Sequence, residues 1–457
     1  VEVTSAGVWS VSIWFYLPGN KVLYRGGIVS NIPSAESLAM ILESARATHG
    51  MLQGIGQERM HPVTQRFAAF VTDAAGFQKD FAGYADADQN TWSLLLARFR
   101  TIQNQWKTLA FDAFRAREMA NCHESRDFAV VATGPASKLY RREAVDGIWK
   151  DGIRVSAAGR EYESFQLAVI PFWKKLERVT VSFSDFIGEK GTIASTNVSS
   201  TRVEWVRNVL YNRLAEQPHE FEPDMLLPAS ELTVPEDELG AFWVDVYCPA
   251  ETPAGDYRGT IRVQAAGQEV LVPVVLHAYG FDLPQTCSLR NNHWSSAGAQ
   301  AAFWNKDYTP EIHEKQARVA ARYRITYFAD NAWVLNRPGN LSVWREPDGR
   351  YTFDFSKWVP YVRTGLKYGG NWYSASGSCN TAAVWWIHAG FPVTERSSGK
   401  RLTLGDCMPE FFGANPAKER WESPLYRDYL AQLESFLREQ GLLGMSYYEM
   451  FDEAGHD

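Results

Sequence analysis

Hydrophobic residues change their spacing twice along this chain, which divides it into three stretches of different expected architecture. From Val8 to Tyr24, apolar and polar residues alternate on either side of Pro18-Gly19-Asn20. Period-two alternation about such a turn predicts a β-hairpin, which is marginal alone in water and must pack on something. From Ser34, a side chain suited to capping a helix, the spacing turns helical through His49, and Gly50, Gly54 and Gly56 then predict a break. A second helix fits Pro62 to Ala75. The longest helical signal runs from about Asp88 to Met119, where Trp92, Leu95, Leu96, Phe99, Ile102, Trp106, Leu109 and Phe114 recur every three or four residues. Residues 1–125 therefore predict a hairpin and helices without catalytic chemistry, compatible with the tail of a preceding domain.

Past Asp127 short β-type runs follow one another, separated by turns. They include Phe128 to Val131, Ser164 to Ile170, Val179 to Phe183, Phe242 to Tyr247 and Glu269 to Leu276. Strands at this spacing predict an Ig-like β-sandwich over about 127–283. Thr252-Pro253-Ala254-Gly255-Asp256-Tyr257 supplies a turn, with Pro fixing φ and Gly free to take φ > 0, and is read as a hairpin.

At Phe281-Asp282-Leu283-Pro284 the pattern changes again and strand-like and helical stretches alternate. Strands are expected at Ser288 to Trp294, Ile325 to Asp330, Asn371 to Ser374 and Gly444 onward, and helices at Glu311 to Tyr323, Phe355 to Lys367 and Pro424 to Gln440. The last helix carries Tyr426, Tyr429, Leu430, Leu433 and Leu437 on one face. Such alternation builds a parallel sheet and, at barrel scale, a TIM-type (β/α)8 barrel. Residues 284–457 hold only the first half of one, well short of the about 250 residues a complete barrel takes. A bare parallel edge predicts truncation, or a further chain segment or domain that completes the barrel. The stretch Gly377 to Arg420 exceeds ordinary loop length and is expected either to shape a cleft or to be poorly ordered.

Composition narrows the partners. The 457 residues carry a net charge of −7, with pI near 5.8, which argues against a polyanion such as nucleic acid. No apolar run approaches the ~18 residues of a membrane helix, so no span is expected. Aromatic content is high, with 17 Trp, 20 Tyr and 25 Phe, and flat rings beside polar groups suit sugar stacking as well as cores. The five cysteines stand far apart without metal-type spacing, so neither a metal nor another cofactor is expected. The chain opens at Val1 without an initiator Met or a signal-like segment and is read as a mature or excised product, which does not fix its localisation.

Candidate chemistry gathers at the last stretch, Gly444-Met445-Ser446-Tyr447-Tyr448-Glu449-Met450-Phe451-Asp452-Glu453. It reads as a buried strand delivering two carboxylates to its C-terminal tip, where a bend lets both serve one pocket. The other strand tips nominate His293, Trp294, Asp330, Asn331, Trp333, Trp372, Tyr373 and Tyr448 as lining. Trp333 and Trp372 are the better stacking platforms, because polar or small residues flank them, and His293 suits a sugar hydroxyl.

Gly159 to Leu167, Phe242 to Tyr247, Thr252 to Gly259 and the link Phe281-Asp282-Leu283-Pro284 together resemble the sandwich of glycoside hydrolase family 123, and Asp452-Glu453 falls where that family carries its catalytic pair. The resemblance covers about 127–457. It departs at Ala454, where relatives often continue with Pro. It implies a β-N-acetylgalactosaminidase-like enzyme with a glycan substrate, in an extracellular, periplasmic or cell-surface setting, and substrate-assisted hydrolysis with retention. Glu453 would then be the acid/base and Asp452 the group holding the 2-acetamido N–H. Two alternatives stay open: a two-carboxylate retaining glycosidase with Glu453 as acid/base, and a carbohydrate-binding or surface-structural protein with a degenerate barrel. His293, Asn331, Trp333, Trp372 and Tyr448 are the expected substrate-binding residues.

Overall fold

A computed structural model of the chain describes residues 8–17, 21–31, 35–55, 61–82, 88–122, 126–147, 149, 151–207, 220–228, 231–291, 309–326, 341–371, 373–374, 393–407 and 424–447. The chain divides into two compact units, Val1–Asp282 and Leu283–Asp457.

The first unit opens with the expected hairpin, β1 (Val8–Leu17) and β2 (Lys21–Asn31). Three helices follow, α1 (Ala35–Ile55), α2 (His61–Phe81) and α3 (Gln89–Asn121). Asp88 caps α3, its carboxylate accepting from the Thr91 amide at 2.8 Å. The predicted break after His49 is not there: α1 runs through Gly50 and Gly54. Each glycine costs about 1 kcal/mol in a helix, and the burial of Leu52 in the last turns offsets part of that. Likewise α2 continues through Gly76, because Phe77 and Phe81 beyond it are core residues.

A sheet-rich region follows: β3 (Phe128–Thr133), β4 (Ile153–Gly159), β5 (Glu161–Pro171), β6 (Leu176–Phe183), β7 (Phe186–Gly188), β8 (Gly191–Ile193), β9 (Val198–Arg207), β10 (Phe221–Leu227), β11 (Glu231–Val234), β12 (Gly240–Cys248), β13 (Gly255–Ala265) and β14 (Gln268–Asp282). One sheet has the order β10-β9-β12-β5-β3 and the other β11-β6-β13-β14-β4, with β7 and β8 attached to β13. Alternate residues of both sheets, among them Phe165, Leu167, Val244, Tyr257, Ile261 and Leu276, meet in one core. The opposite face of the five-stranded sheet is apolar at Ala168, Ile170, Phe172, Val203 and Ala241, and these share a second core with Leu42, Phe67, Phe99, Ile102 and Phe114 of the helices.

A buried charge pair fixes that helix-to-sheet contact. Asp112 and Arg115 of α3 bond each other, Arg66 reaches Asp112 at 2.7 Å, and Arg115 lies over the Trp173 ring at 4.8 Å. Removing one partner of such a pair strands a charge, so the helices are held in register as well as glued by apolar area.

The turn Thr252 to Tyr257 is not the hairpin expected from its residues. β12 and β13 on either side of it belong to different sheets, so the turn is a corner between layers. The buried Tyr257 hydroxyl donates to the Pro253 carbonyl at 2.9 Å, and Thr252 Oγ1 to the Pro249 carbonyl at 2.7 Å, which ties the corner to itself.

The second unit contains α4 (Pro310–Arg322), β15 (Ser342–Arg345), β16 (Tyr351–Asp354), α5 (Val359–Lys367), β17 (Tyr373–Ser374), β18 (Val393–Glu395), β19 (Arg401–Leu402), the short α6 (Leu404–Cys407), α7 (Pro424–Glu439) and β20 (Ser446–Tyr447). A four-stranded sheet of order β16-β15-β18-β19 lies in it, drawing two strands from the stretch read as a long loop. Its edge strand β16 is covered by α7. Asp428 accepts from the Tyr351 amide at 2.7 Å, while Gln432 accepts from the Phe353 amide at 3.0 Å and donates to the Tyr351 carbonyl at 2.7 Å. Two helix side chains thus do the work of a neighbouring strand, the usual need of an open edge. Trp358, Tyr429, Leu433 and Leu437 form the apolar centre.

Candidate functional site

Three helices of the second unit end alike. After α4, α5 and α7 come Arg324 (φ 59), Gly369 (φ 82) and Gly441 (φ 73), each in the left-handed region. The amide just beyond each bonds back into the last turn: Ile325 to Ala320 O at 3.0 Å, Gly370 to Gly365 O at 2.9 Å and Leu442 to Leu437 O at 2.8 Å. This six-to-one closure stops a helix and sends the chain off in a new direction. Glycine takes the left-handed position without penalty at two of the three; at Gly369 an added Cβ would also come within 3.0 Å of the Gln285 carbonyl.

Each closure leads into a stretch expected to be a strand, and polar side chains tie the starts of three such stretches together. Asn291 Oδ1 accepts from the Thr326 amide at 2.7 Å, and Thr326 Oγ1 donates to Asn371 Oδ1 at 2.8 Å. Asn371 Nδ2 donates to the carbonyls of Leu289, at 2.9 Å, and Cys287. Asn291, Thr326 and Asn371 lie within the stretches read as strands, two residues before His293, five before Asn331 and one before Trp372. The described parts of two of these stretches, Ser288 to Asn291 and Ile325 to Thr326, carry no strand pairing.

The other two stretches do pair. β17 and β20 run parallel, with Tyr373 opposite Ser446 and Ser374 opposite Tyr447. Parallel pairing of segments that each follow a helix is what the alternation of helix and strand predicts. It fixes the backbone just after Trp372 beside the backbone just before Tyr448.

The seven residues expected to carry binding and catalysis, His293, Asn331, Trp333, Trp372, Tyr448, Asp452 and Glu453, all lie outside the described residues, as do Trp294 and Asp330. What is described is their approach: the Asn291–Thr326–Asn371 network and the β17–β20 pair. The network was missed in the sequence because Asn and Thr at such positions read as turn formers. The signal that could have found it is their shared position, one or two residues past a helix closure or before an aromatic strand tip.

Among the described carboxylates, Glu163 on β5 is the one whose pKa is raised, by burial first and then by the charge of Glu161. Glu161 Oε2 already accepts from the Ala158 amide at 2.8 Å. The pair shares one strand face at the end of the sheets, an arrangement of like charges rather than of acids set across a cleft.

Comparisons with known proteins agree with the resemblance read in the sequence. Residues 161–265 match the family model described as the glycoside hydrolase 123 N-terminal domain. A solved family 123 glycoside hydrolase from Clostridium perfringens, described for glycolipid glycan hydrolysis, superposes with a TM-score of 0.52 at 16% identity. That match covers 71% of this chain and 58% of the other, so this chain spans less than two thirds of that protein's length. A DUF4466 family protein from Parabacteroides merdae matches at a TM-score of 0.20 and 11% identity, covering 37% of this chain and 50% of the other. No match to a curated protein was found. The likeness to the Clostridium perfringens structure supports a multidomain fold of that kind.

Proposed function

We propose that this chain is a glycoside hydrolase resembling β-N-acetylgalactosaminidases, which cleaves a β-linked 2-acetamido sugar with retention and with help from the substrate's own acetamido group. The proposal takes the two sheets as an Ig-like accessory domain, within 127–283, and residues 284–457 as the first half of a (β/α)8 barrel. The observation that carries it is the parallel β17–β20 pair, reached through repeated helix closures, with Asp452 and Glu453 a few residues beyond Tyr447. The family match on 161–265 supports it independently.

In the first step the acetamido oxygen attacks the anomeric carbon while the bond to the leaving oxygen breaks, and Glu453 gives that oxygen its proton. The product is an oxazolinium-like ring. In the second step Glu453, now ionised, takes a proton from water as the water adds to the anomeric carbon and reopens the ring. Asp452 accepts from the acetamido N–H, aims its oxygen and offsets the positive charge that develops. Side by side placement of the two acids fits because the nucleophile belongs to the sugar. His293, Asn331 and Tyr448 offer hydrogen bonds to hydroxyls, and Trp333 and Trp372 offer stacking faces. Among the described residues no helix is long and apolar enough to cross a membrane, and the proposed partner is a glycan.

Kinetics of two variants test this assignment, with glycolipid glycans and aryl 2-acetamido glycosides as substrates. Glu453→Gln should lower turnover ~10²- to 10⁴-fold on poor leaving groups and far less on activated aryl glycosides, whose departure hardly needs a proton. Asp452→Asn should stay defective with a good leaving group and bind a thiazoline mimic of the intermediate poorly. Wild-type activity in both variants would remove the pair from the mechanism. Lost activity with unchanged thiazoline affinity in Asp452→Asn would favour the two-carboxylate scheme.

A further inference from the structure

The seven-stranded sheet presents a row of side chains that core packing does not account for. Along β14, Leu271, Pro273, Val275, His277, Tyr279 and Phe281 point away from the core, alternating with buried Val274, Leu276 and Ala278. Tyr279 is 52% exposed and Phe281 58%.

The backbone is shaped to display these two rings. β14 pairs with β4 through Ala278 opposite Ala157, and pairing resumes at Asp282 opposite Gly159. β14 therefore uses two more residues than its neighbour over that interval, and the excess falls on Tyr279-Gly280-Phe281, a bulge of the sort that re-aims side chains. Gly280 has φ 74, and a Cβ there would stand 2.7 Å from the Ala254 Cβ, so only glycine fits. Beyond the bulge Asp282 Oδ1 accepts from the Glu251 amide at 2.8 Å, which fixes its far end. The two ring planes lie 20° from parallel with centroids 6.0 Å apart, and the His277 ring stands edge-on to Tyr279 at 5.4 Å.

Polar groups stand beside the rings in register. Asp256, His277 and Ser156 are neighbours across β13, β14 and β4, and Arg258, Val275 and Arg154 make the next row. His277 Nδ1 is 2.8 Å from Asp256 Oδ1, so both side chains are held in place. Charges interleave with the apolar positions, which suits a protein partner badly, since the centre of a protein interface is depleted of charge. They suit a pyranose, whose C–H face stacks on an aromatic ring while its hydroxyls take donors and acceptors around the rim.

We propose that Tyr279 and Phe281, with His277 and Asp256 beside them, form a glycan-binding platform that holds a chain containing 2-acetamido sugars. The sugar class rests on the glycosidase reading; the platform's geometry does not. Its residues are other than those assigned to the reaction, so it would keep the protein on a polymeric or clustered substrate between cleavages.

Affinity electrophoresis of the full chain carrying Glu453→Gln, through gels containing mucin or glycol chitin, tests the platform. Retardation is expected in at least one gel, with a tenfold or greater rise in the dissociation constant when Tyr279→Ala and Phe281→Ala are added and no change in melting temperature. No retardation in either gel, or equal retardation of the platform variant, would overturn the proposal. Hydroxyl-radical labelling of the glycan-free protein should mark Tyr279 and Phe281 strongly; protection of both would mean that protein covers them and would equally overturn it. The two readings fail separately: retention without hydrolysis by the wild type leaves the platform standing and removes the glycosidase, and hydrolysis without retention does the reverse.

Discussion

His313 makes the second unit's stability depend on pH. It sits in the first turn of α4, fully buried, with Nε2 3.1 Å from the Tyr361 carbonyl and its ring 5.3 Å from the Tyr361 ring. A carbonyl can only accept, so Nε2 carries the proton of that bond. Charging the ring would put a cation in an apolar site near the positive end of a helix, and burial pushes its pKa down from 6.5 to about 4, against a smaller upward pull from the Tyr361 carbonyl. Because the folded pKa is the lower one, the unfolded chain binds the extra proton between those values. Stability is therefore full above about pH 6.5 and falls as the pH drops toward 4. The whole shift is worth on the order of 3 kcal/mol, and about 2 kcal/mol should be lost by pH 5. Hydrogen exchange of peptides from α4 and α5, read across a urea series at pH 8, 6 and 5, measures the loss. His313→Gln keeps an amide to meet the Tyr361 carbonyl but cannot titrate, so its pH dependence should be flatter by that amount. Glu314 nearby, held below its usual pKa by Lys367, titrates in both proteins and cancels in the comparison. If wild type and variant lost stability in parallel, His313 would not be the titrating group.

Gln432→Leu removes two of the three bonds that α7 makes to the edge of β16, leaving that of Asp428, and should destabilise the second unit by about 1–3 kcal/mol, seen as a lower urea midpoint and faster exchange at Tyr351 to Asp354. Gly259→Ala would put its Cβ 1.8 Å from the buried Phe186 ring and should cost more than about 2 kcal/mol, whereas Gly50→Ala meets nothing within 4 Å and should gain about 0.5–1 kcal/mol. Melting curves of the two glycine variants should move in opposite directions.

Features set by local periodicity were legible in the sequence. Of the α7 face read as Tyr426, Tyr429, Leu430, Leu433 and Leu437, all but the partly buried Leu430 are buried, and α3 starts beside Asp88, close to where its helical signal begins. Features set by distant partners were not. Whether the Thr252 to Tyr257 turn closes a hairpin or crosses between layers depends on which strands β12 and β13 meet, and its own Pro and Gly serve either outcome. The small sheet of β15, β16, β18 and β19 escaped because strands of two to four residues are too short to show a period. Gly50 and Gly54 misled because helix propensity is a per-residue cost that the burial of Leu52 opposes from outside the local window.

The candidate site shows the same divide between local and distant information. Its proposed acids, Asp452 and Glu453, are read from a motif, whereas the described segments leading toward them are held by residues that carry no motif at all. Thr326 donates to Asn371, which donates in turn to the carbonyls of Cys287 and Leu289, so segments far apart in sequence leave from one hydrogen-bonded knot. None of the three side chains is a nucleophile, an acid or a stacking ring. Asn291 satisfies backbone where α4 has just ended, Asn371 satisfies the Cys287 and Leu289 carbonyls, and the Thr326 hydroxyl links to Asn371; such short polar groups are interchangeable in composition though not in geometry. A catalytic set needs its members held to within a fraction of an ångström, and that precision comes from fixing where each segment starts as much as from the residues at its tip. Asn371, bonded to Thr326, Cys287 and Leu289, and Asn291, bonded to Thr326, Leu289 and Arg324, carry three bonds each, so the knot depends on these two side chains together.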